Sequence, residues 1–419
     1  MSSGPLAGML VVDLSRYLPG PLTGHLLASL GARVIKVEEP RLGDPVRYAP
    51  PLVGKVSSLA AQVLSGVESV ALDLKKPAGL KVLERLLERA DILLETFRPG
   101  SLAKLGLEPK ELRQRFPALV ICSLSGWGQE GPLAQRSGHD LTYQAVAGSL
   151  APTAAMPAVP SADLLGAWSA VASILAAVAR CSRTQQGSWI DASLYGAALH
   201  GNLVAWAAEV AGPREVGESH DLAGALPGYQ LYRTSDGGWV ALALLEEKFW
   251  RRFWQALGSE DMSPKYMGSK GIGSKDLGSR DLGPKKLARR RLGRSQETRS
   301  QLGKIIATRK RQEWEVFFDL HDLPGAAVLS PQEAANHPQA LEEGVLSADS
   351  QGLPRLAFPA RFDGERPAAG ARIPALGEHT EAVLAELDMA PGELPRWKAR
   401  GGVGKRLGVR RWLARWLVR

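Results

Sequence analysis

MLVVDLSRYLPGPLTGHLLASLGARVIKVEE, residues 9–39, contains the first repeat of the pattern that organises this 419-residue chain. Its ends, MLVVDLS (9–15) and ARVIKVEE (32–39), are apolar runs with the β-branched residues that buried strands favour. The intervening GPLTGHLLASLG (20–31) is predicted to be helical. A strand, a helix and a second strand in this order predict a βαβ unit with parallel strands.

The same alternation continues through the next hundred residues. Its predicted elements are a strand at SVALDL (69–74), a helix from Pro77 to Arg89, a strand at DILLETF (91–97) and a strand at LVICSLSG (119–126). We therefore predict an α/β fold built on a Rossmann-like, doubly wound parallel sheet. The first turn, SRYLPGPLTG, lacks the G-x-G-x-x-G fingerprint, so the sequence does not support a nicotinamide or flavin cofactor.

The pattern changes near residue 225. Before that point come helices at 139–149 and 163–182, and a strand and helix at GSWIDASLYGAAL. After it, YQLYRT and WVALAL flank the turn SDGG and predict a hairpin, which the helix EEKFWRRFWQALG follows. We predict a large Rossmann-like domain over 1–224, a smaller α+β domain over 225–330, and a return to the large domain over 331–395, where RLAFPARF (355–362) and a helix from Glu378 lie. A glycine-rich basic insertion, 262–298, is predicted to be a solvated loop, and 396–419 forms a basic tail.

The net charge of +9 comes from two segments of the chain. Residues 264–300 carry a net +8 and residues 396–419 carry +9, so the remainder is acidic at −8. We therefore do not predict nucleic acid as a partner. Two cysteines and a start without a targeting pattern predict a cytoplasmic protein, and the apolar run 164–179 predicts a buried helix too short to span a membrane.

The last residues, 406–419, predict a basic amphipathic helix. Arginines at 410, 411, 415 and 419 lie around one face of this helix. Apolar side chains recur at helical spacing on the other face, at Val409, Trp412, Leu413, Trp416 and Leu417. Two interpretations remain open. The helix binds an anionic membrane surface, or it docks on an acidic face of the protein or of a second subunit.

Seven blocks of sequence, in order along residues 9–380, resemble the class III CoA-transferases, the family that includes α-methylacyl-CoA racemase. The blocks are VVDLSRYLPGPLTGHLLASLGARVIKVEEP, GDPVR, ALDLKKPAG, LLETFRPGSLAKLGL, SGWGQEGPLAQRSGHDLTY, GSWIDASLYGAAL and GEHT. The likeness is nearest to the racemase branch. It implies two domains, an interlocked homodimer and an acyl-CoA substrate, with coenzyme A as part of that substrate and neither a prosthetic group nor a metal.

The resemblance also implies which residues contact the CoA. They are Arg16, Leu72, Lys75, Thr96, Phe97, Arg98 and Lys104. Cations among them suit the phosphates of CoA, and apolar side chains suit its adenine. Other members carry an arginine near Glu39; here the run is EEP, and Arg41 is the candidate replacement.

Three residues are candidates for acid–base chemistry: His139 in GHDLTY, Asp163 in SADLLGAW and Glu246 in LLEEKFW. Taken singly, each also fits a structural role: a hydrogen-bonded histidine at a helix start, an N-cap aspartate and a first-turn glutamate. By resemblance, His139 and Asp163 are the two bases and Glu246 orients or charge-balances His139. Asp140 and Tyr143 then line the thioester pocket, and backbone N–H groups at the start of the helix near 163 stabilise an enolate oxygen.

Two reactions remain open for these residues. Racemisation of a 2-methylacyl-CoA needs one base on each face of the α-carbon, whereas CoA transfer uses Asp163 as a nucleophile. Glu246 and the absence of a tetraglycine loop in DLAGALPGYQLYR favour the racemase, which is our prediction. The leucines at 164 and 165, where racemases usually carry glycines, point the other way. A non-catalytic CoA-binding scaffold recruited by the basic tail is a third hypothesis.

Overall fold

The computed structural model describes residues 4–210, 212, 215–217, 219–259, 296–348, 352–367, 370, 372–387 and 402–403. Most of the predicted insertion 262–298 and the predicted helix 406–419 lie outside the described residues. The chain divides into two compact units. Unit 1 comprises Met1–Gly148, Pro157–Asn202 and His337–Arg419, and unit 2 comprises Ser149–Met156 and Leu203–Asn336.

Among the described residues there are thirteen strands. In chain order they are β1 (Leu10–Asp13), β2 (Arg33–Glu38), β3 (Leu52–Val53), β4 (Val56–Ser57), β5 (Glu68–Ala71), β6 (Ile92–Glu95), β7 (Val120–Ser125), β8 (Trp189–Ser193), β9 (Tyr229–Arg233), β10 (Trp239–Ala243), β11 (Gly325–Ala327), β12 (Leu346–Ala348) and β13 (Pro354–Leu356).

The α-helices of the same residues alternate with these strands through the first half. They are α1 (Pro19–Ser29), α2 (Ser58–Val63), α3 (Pro77–Leu87), α4 (Ser101–Lys104), α5 (Pro109–Arg115), α6 (Asp140–Val146), α7 (Ser161–Thr184), α8 (Leu194–Gly201), α9 (Leu203–Val210), α10 (Glu247–Ser259), α11 (Gln296–Ile306), α12 (Arg311–Leu320), α13 (Pro331–Ala335), α14 (Pro338–Glu343) and α15 (Thr380–Ala385). Short 3₁₀ turns lie at Pro45–Tyr48 and Asp221–Ala223.

Unit 1 is built on a six-stranded parallel sheet in the order β5-β2-β1-β6-β7-β8. From β1 the chain proceeds outward to β2 and β5, then returns to the other side of β1 for β6, β7 and β8. Val12 pairs with Ile35 of β2 on one side and with Leu93 of β6 on the other. The predicted α/β fold with a doubly wound parallel sheet is confirmed.

Apolar side chains cover both faces of this sheet, because successive residues of each strand point to opposite sides. Val11 belongs to a core with Leu27 of α1 and Ile174 of α7, whereas Val12 belongs to a core with Leu83 of α3 and Leu112 of α5. Each of these side chains is at most 3% exposed. Burying a side chain of this size contributes about 1.5–3 kcal/mol, so the two cores hold the strand ends in place.

Helix α7 is longer than the predicted 163–182. Within the described part of the chain it is the one helix that is long and apolar enough to cross a membrane, judged by length and composition alone. A core helix meets the same criteria, and Ala167, Ala170 and Ile174 are buried in the unit 1 core. Leu165 and Trp168 on other faces of the helix are exposed.

Unit 2 contains the predicted hairpin, which is confirmed. Strands β9 and β10 pair antiparallel, with Leu231 opposite Ala241, and a third strand, β11, adds to β10. Helices α10, α11 and α12 bury an aromatic cluster that includes Trp250, Phe253 and Trp314. Strand β11 was not predicted, since three small residues carry no alternating pattern.

Candidate active site

Two cavities open in unit 1 at the carboxyl ends of β1 and β6. These neighbouring strands mark the point where the strand order reverses, which is where doubly wound sheets bind ligands. Arg16, which follows β1, and Phe97, which follows β6, line both cavities. The cavities therefore meet at the switch point of the sheet.

Three contacts fix the two strand exits. The backbone N–H of Arg16 donates to Thr96 Oγ1 at 2.9 Å, and that of Phe97 donates to Glu95 Oε2 at 2.6 Å. Gly20 at the start of α1 lies against both exits: a Cβ there would fall 2.2 Å from Ser15 Cβ and 2.7 Å from Thr96 Cγ2. Only glycine allows α1 to begin so close to the strand ends.

The larger cavity has a volume of about 620 Å³. Its lining combines apolar side chains with cations: Leu14, Arg16, Val37, Glu38, Glu39, Arg41, Leu42, Gly43, Pro45, Tyr48, Leu72, Asp73, Leu74, Lys75, Phe97 and Leu105. The side chains of Arg16, Arg41 and Lys75 are exposed and make no hydrogen bond or ion pair with the described residues. They are thus free to bind an anionic ligand. Lys104, an exposed residue at the end of α4, is absent from the described lining of either cavity.

Buried ion pairs lie beneath the larger cavity. Lys36 Nζ is 3.3 Å from Asp13 Oδ2 and 3.2 Å from Asp44 Oδ2, and all three side chains are 1% exposed. Burial opposes ionisation of Glu38, but Arg47 holds it in a bidentate pair and keeps the pKa of its carboxyl below the ordinary value. Because removing one partner of a buried pair is costly, this network makes a rigid floor.

The second cavity has a volume of about 330 Å³ and brings together most of the predicted catalytic residues. Its lining comprises Arg16, Tyr17, Pro19, Thr96, Phe97, Arg98, Pro99, Leu124, Ser125, Gly126, Trp127, Ala134, Arg136, Ser137, Gly138, His139, Tyr143, Asp163 and Leu194. Arg98 is exposed at its edge and donates from Nη2 to Ser137 Oγ at 2.7 Å.

His139 is the residue immediately before α6. Its backbone N–H donates to Thr142 Oγ1 at 3.0 Å, and Thr142 Oγ1 donates back to the His139 carbonyl at 2.7 Å. These bonds fix the backbone of the helix start while the imidazole is exposed in the second cavity. The backbone of His139 therefore stabilises the start of α6, while its imidazole is left to face the cavity.

Asp163 lies in the first turn of α7, two residues inside the helix rather than at its N-cap. Burial raises the pKa of its carboxyl to about 7, and the nearby charge of Asp140 adds to the rise. Such a carboxyl is present in both protonation states at neutral pH.

Asp140 links the starts of two helices and is not among the cavity residues. Its Oδ1 accepts the backbone N–H of Asp163 at 3.1 Å, and its Oδ2 accepts from Gln144 Nε2 at 2.6 Å. The N–H groups of Ser161 and Leu164 also donate within the protein, to the carbonyls of Val159 and Pro160. Three of the backbone donors expected to stabilise an enolate oxygen, those of Ser161, Asp163 and Leu164, are thus engaged with protein acceptors.

Tyr143 supplies a hydroxyl to the same cavity. Its ring packs edge-on against Trp127 with centroids 4.9 Å apart, and burial, with the charge of Asp163, raises the pKa of its phenol to about 12. A Cβ at Gly126 would fall 2.3 Å from Tyr143 Oη, and one at Gly138 would fall 2.6 Å from Cε1. The two glycines therefore make room for a phenol that stays protonated.

With this geometry established, the comparison with known families is decisive: the family model for CoA-transferase family III matches residues 6–380. The chain belongs to CoA-transferase family III. It is therefore a member of a family of CoA-thioester enzymes.

Relatives of this family III enzyme catalyse more than one reaction. Human alpha-methylacyl-CoA racemase is 30% identical over 399 residues, covering 93% of this chain and 95% of the racemase. Human succinyl-CoA:glutarate CoA-transferase is 28% identical, covering 93% of this chain and 88% of the transferase. A CaiB/BaiF family protein from Brucella suis has a similar solved structure, with a TM-score of 0.78 and 26% identity over 93% of this chain and all of that one. The family and its fold are established, while the relatives do not select one reaction.

The third predicted catalytic residue of this family III enzyme, Glu246, belongs to unit 2. It is exposed, directly before α10, and its carbonyl accepts the N–H groups of Phe249 and Trp250 at 3.1 Å. Its action on His139 stays a prediction.

The structure adds residues that sequence reasoning missed. Arg136 stacks over Trp127, with the guanidinium carbon 5.9 Å from the ring centroid, and its carbonyl accepts from Trp127 Nε1 at 3.0 Å. Arg136 and Trp127 lie in the same sequence block as His139, SGWGQEGPLAQRSGHDLTY, and this proximity is the sequence feature that could have revealed them. Leu164 and Leu165 do not line the cavity among the described residues, and Leu165 contacts α8 beside Gly201.

Proposed function

We propose that this family III enzyme racemises or epimerises a 2-methylacyl-CoA by moving a proton on and off the α-carbon through a thioester enolate. One observation carries the proposal: His139 and Asp163, an imidazole and a carboxyl of the types that act as general acids and bases, line the same small cavity. Inversion at carbon requires one such group on each face.

The assignment of roles follows from the surroundings of each group. One of the pair removes the α-proton and the other delivers its replacement, and the direction of reaction decides which acts as base. A pKa of about 7 gives Asp163 a share of both forms at neutral pH. Glu246 is proposed to orient or charge-balance His139.

Charge that develops on the thioester oxygen needs a donor. Since the N–H of Asp163 already donates to Asp140, we assign this role to the hydroxyl of Tyr143, which stays protonated across the physiological range. Asp140 acts by positioning: it holds the first turn of α7 against the start of α6.

The larger cavity is proposed to bind the nucleotide end of CoA. Arg16, Arg41 and Lys75 are its exposed cations, and Leu72 with Phe97 supplies apolar surface. Because the two cavities meet at Arg16 and Phe97, an extended CoA arm reaches the second cavity past these residues. Thr96 and Arg98 line that passage; Lys104 is retained as a proposed outer contact.

A second candidate is CoA transfer, with Asp163 attacking a donor thioester. The near-complete coverage by a human succinyl-CoA:glutarate CoA-transferase favours it. In that reaction only the ionised form of Asp163 is productive, and His139 is not needed.

Incubation with a 2-methylacyl-CoA in D2O, with and without a free carboxylic acid, distinguishes the two. Racemisation incorporates deuterium with inversion at the α-carbon without the acid, and His139→Ala abolishes the inversion, because only one of the two bases remains. His200→Ala, which removes an exposed histidine at the end of α8, is the matched control and should leave exchange intact. CoA moving to the acid with no α-exchange would establish transfer instead.

We further propose that the enzyme is a cytoplasmic homodimer that uses no metal or prosthetic group. The two cysteines are free, and exposed apolar side chains on α7 and α9 provide surface for a second copy.

A further inference from the structure

A polar row crosses the sheet beside the second cavity. Glu95 at the end of β6 pairs in register with Ser123 of β7, which pairs with Asp191 of β8. Residues in register on adjacent parallel strands share a face, so the three side chains lie side by side. Glu95 is 3% exposed and Ser123 is 1% exposed.

The Glu95 carboxylate is held by hydrogen bonds alone. It accepts the backbone N–H of Phe97 at 2.6 Å and the hydroxyl of Ser123, whose oxygen accepts from Trp189 Nε1 at 3.1 Å. Among the described residues no lysine or arginine forms an ion pair with it. A buried acid of this kind is unusual, since buried charges are normally paired with a cation.

The titratable groups near Glu95 are a carboxyl on β8 and a thiol on β7, and neither carries a positive charge. Asp191 on β8 is exposed and accepts the Gln129 N–H with both oxygens, at 3.0 and 3.1 Å, and Cys122 on β7 is a buried thiol. The residue beside Glu95 on the β1 side is apolar Leu14. Burial, opposed by the bonds from Ser123 and Phe97, raises the pKa of Glu95 to about 7, and Asp191 adds to the rise.

The turn that Glu95 holds is shared by the two cavities. Phe97 lines both, and Thr96 lines the second while its hydroxyl accepts the N–H of Arg16, which follows β1. Weakening the hydrogen bond from the Phe97 N–H to Glu95 therefore affects the segments that follow both β1 and β6.

We propose that Glu95 is a positioning residue for the CoA thioester: its ionised carboxylate holds the Thr96–Phe97 turn, and its protonation loosens that turn and weakens CoA binding. This inference rests on the proposed function, because it takes CoA to be the ligand of the two cavities. Glu95 touches no reacting atom and takes no part in proton transfer to substrate.

The direction of the pH dependence follows from which form of Glu95 is the stronger hydrogen-bond acceptor. An ionised carboxylate accepts an N–H more strongly than a neutral carboxyl does, so the turn is tightest above pH 7 and relaxes as the pH falls through about 7. Glu95→Gln keeps an acceptor oxygen and similar size but is neutral at every pH. It should therefore behave like the protonated wild type.

Calorimetric titration of full-length protein with CoA at pH 8.5 and pH 5.5 tests this. We expect Glu95→Gln to raise the Kd about fivefold over wild type at pH 8.5 and less than about twofold at pH 5.5. Comparing the two proteins at each pH cancels the titration of the CoA phosphates. Glu130→Gln, which removes an exposed acid, is the matched control and should have the wild-type Kd at each of the two pH values.

Asp191→Asn provides a second variant should Glu95→Gln fail to fold. Removing this like charge lowers the pKa of Glu95. The Kd-against-pH curve of the variant should therefore have its midpoint at lower pH than that of the wild type, with the same affinity at pH 8.5. A ratio of Kd values that is the same at both pH values, or an unmoved midpoint, overturns the positioning role while leaving CoA binding in place. If wild type binds no CoA, the proposed function itself fails.

Discussion

At the scale of single residues, the contact between Asp140 and Asp163 does most to set the chemistry of the second cavity. The Asp140 carboxylate anchors the backbone of Asp163 and, as a like charge, also raises the pKa of its side chain. Burial is the larger cause of the rise, so part of it remains when the charge is removed. Position and charge can therefore be separated by substitution.

We predict that Asp140→Asn moves the acid limb of α-deuterium exchange to lower pH. In the direction where Asp163 acts as base, exchange falls as the pH drops through about 7, because the carboxyl becomes protonated. Loss of the neighbouring charge lowers that pKa, and we expect a midpoint shift of about half a unit while the amide oxygen still accepts the Asp163 N–H. The measurement is the pH profile of kcat/KM for exchange.

Gln144→Ala is the control for this prediction. It removes the other hydrogen bond of Asp140 but keeps the charge, so the midpoint should stay near that of wild type. A shift in Gln144→Ala equal to that in Asp140→Asn would show that position, not charge, sets the profile.

At the scale of elements, close packing around Tyr143 fixes the hydroxyl that we assign to the enolate oxygen. We predict that Gly126→Ala lowers stability by about 1–3 kcal/mol and reduces exchange at least tenfold, because its Cβ would overlap the phenol at 2.3 Å. Thermal unfolding and α-deuterium exchange are the two measurements. The same substitution at Gly258 in α10 meets nothing within 4 Å and should be neutral or slightly stabilising.

The elements show how far sequence reasoning reaches. The β1–α1–β2 unit is predicted within about two residues at each boundary, since two β-branched strands separated by an apolar helix form a local pattern. The start of α7 was placed at 163, whereas the helix begins at Ser161, because an aspartate within the first turn has the same sequence appearance as an N-cap. Helix starts are therefore less certain than helix identities.

The candidate site was predictable where it rests on residue type and order, as for His139, Asp163 and Tyr143. The bond from Asp163 to Asp140 spans 23 residues through an intervening loop, so no local pattern reports it. Glu95 was missed for a related reason. Glu95 is the fifth residue of DILLETF (91–97), and only the pairing of β6 with β7 in the folded sheet shows that this acid is buried.

At the scale of the whole molecule, helix α9 exposes its apolar side chains. It is eight residues long, mostly apolar, and buries none of its side chains; Leu203, Trp206 and Val210 are 59%, 52% and 91% exposed. So short a helix is not stable in water by itself. We expect it to pack in the proposed homodimer.

Light scattering after size exclusion should therefore give about twice the 44.9 kDa chain mass. Trp206→Glu should shift the population toward monomer, because it places a charge in an apolar interface. Val316→Glu, at a similarly exposed apolar position on α12, should leave the mass unchanged. A wild-type mass of one chain would contradict the dimer.

Gly402 and Val403 contact two residues, Leu72 and Asp73, that line the larger cavity. Val403 bridges antiparallel to Leu72, which lines that cavity, and the Asp73 N–H donates to the Gly402 carbonyl at 3.0 Å. Val403 is 6% exposed, and a Cβ at Gly402 would fall 2.5 Å from Ala78 Cβ. The point at which the chain is truncated should consequently decide the outcome.

We predict that a chain ending at Val403 keeps the full-length KM for acyl-CoA, because the contact with Leu72 remains. A chain ending at residue 401 loses that contact and the burial of one valine, worth about 1–2 kcal/mol, so its KM should rise severalfold and its Tm should fall. If 406–419 binds anionic membranes, which is one of the two interpretations left open by its sequence, both truncated chains lose sedimentation with phosphatidylserine vesicles, and only the shorter one is impaired in catalysis. Equal impairment of both chains would instead assign the basic tail to the active site.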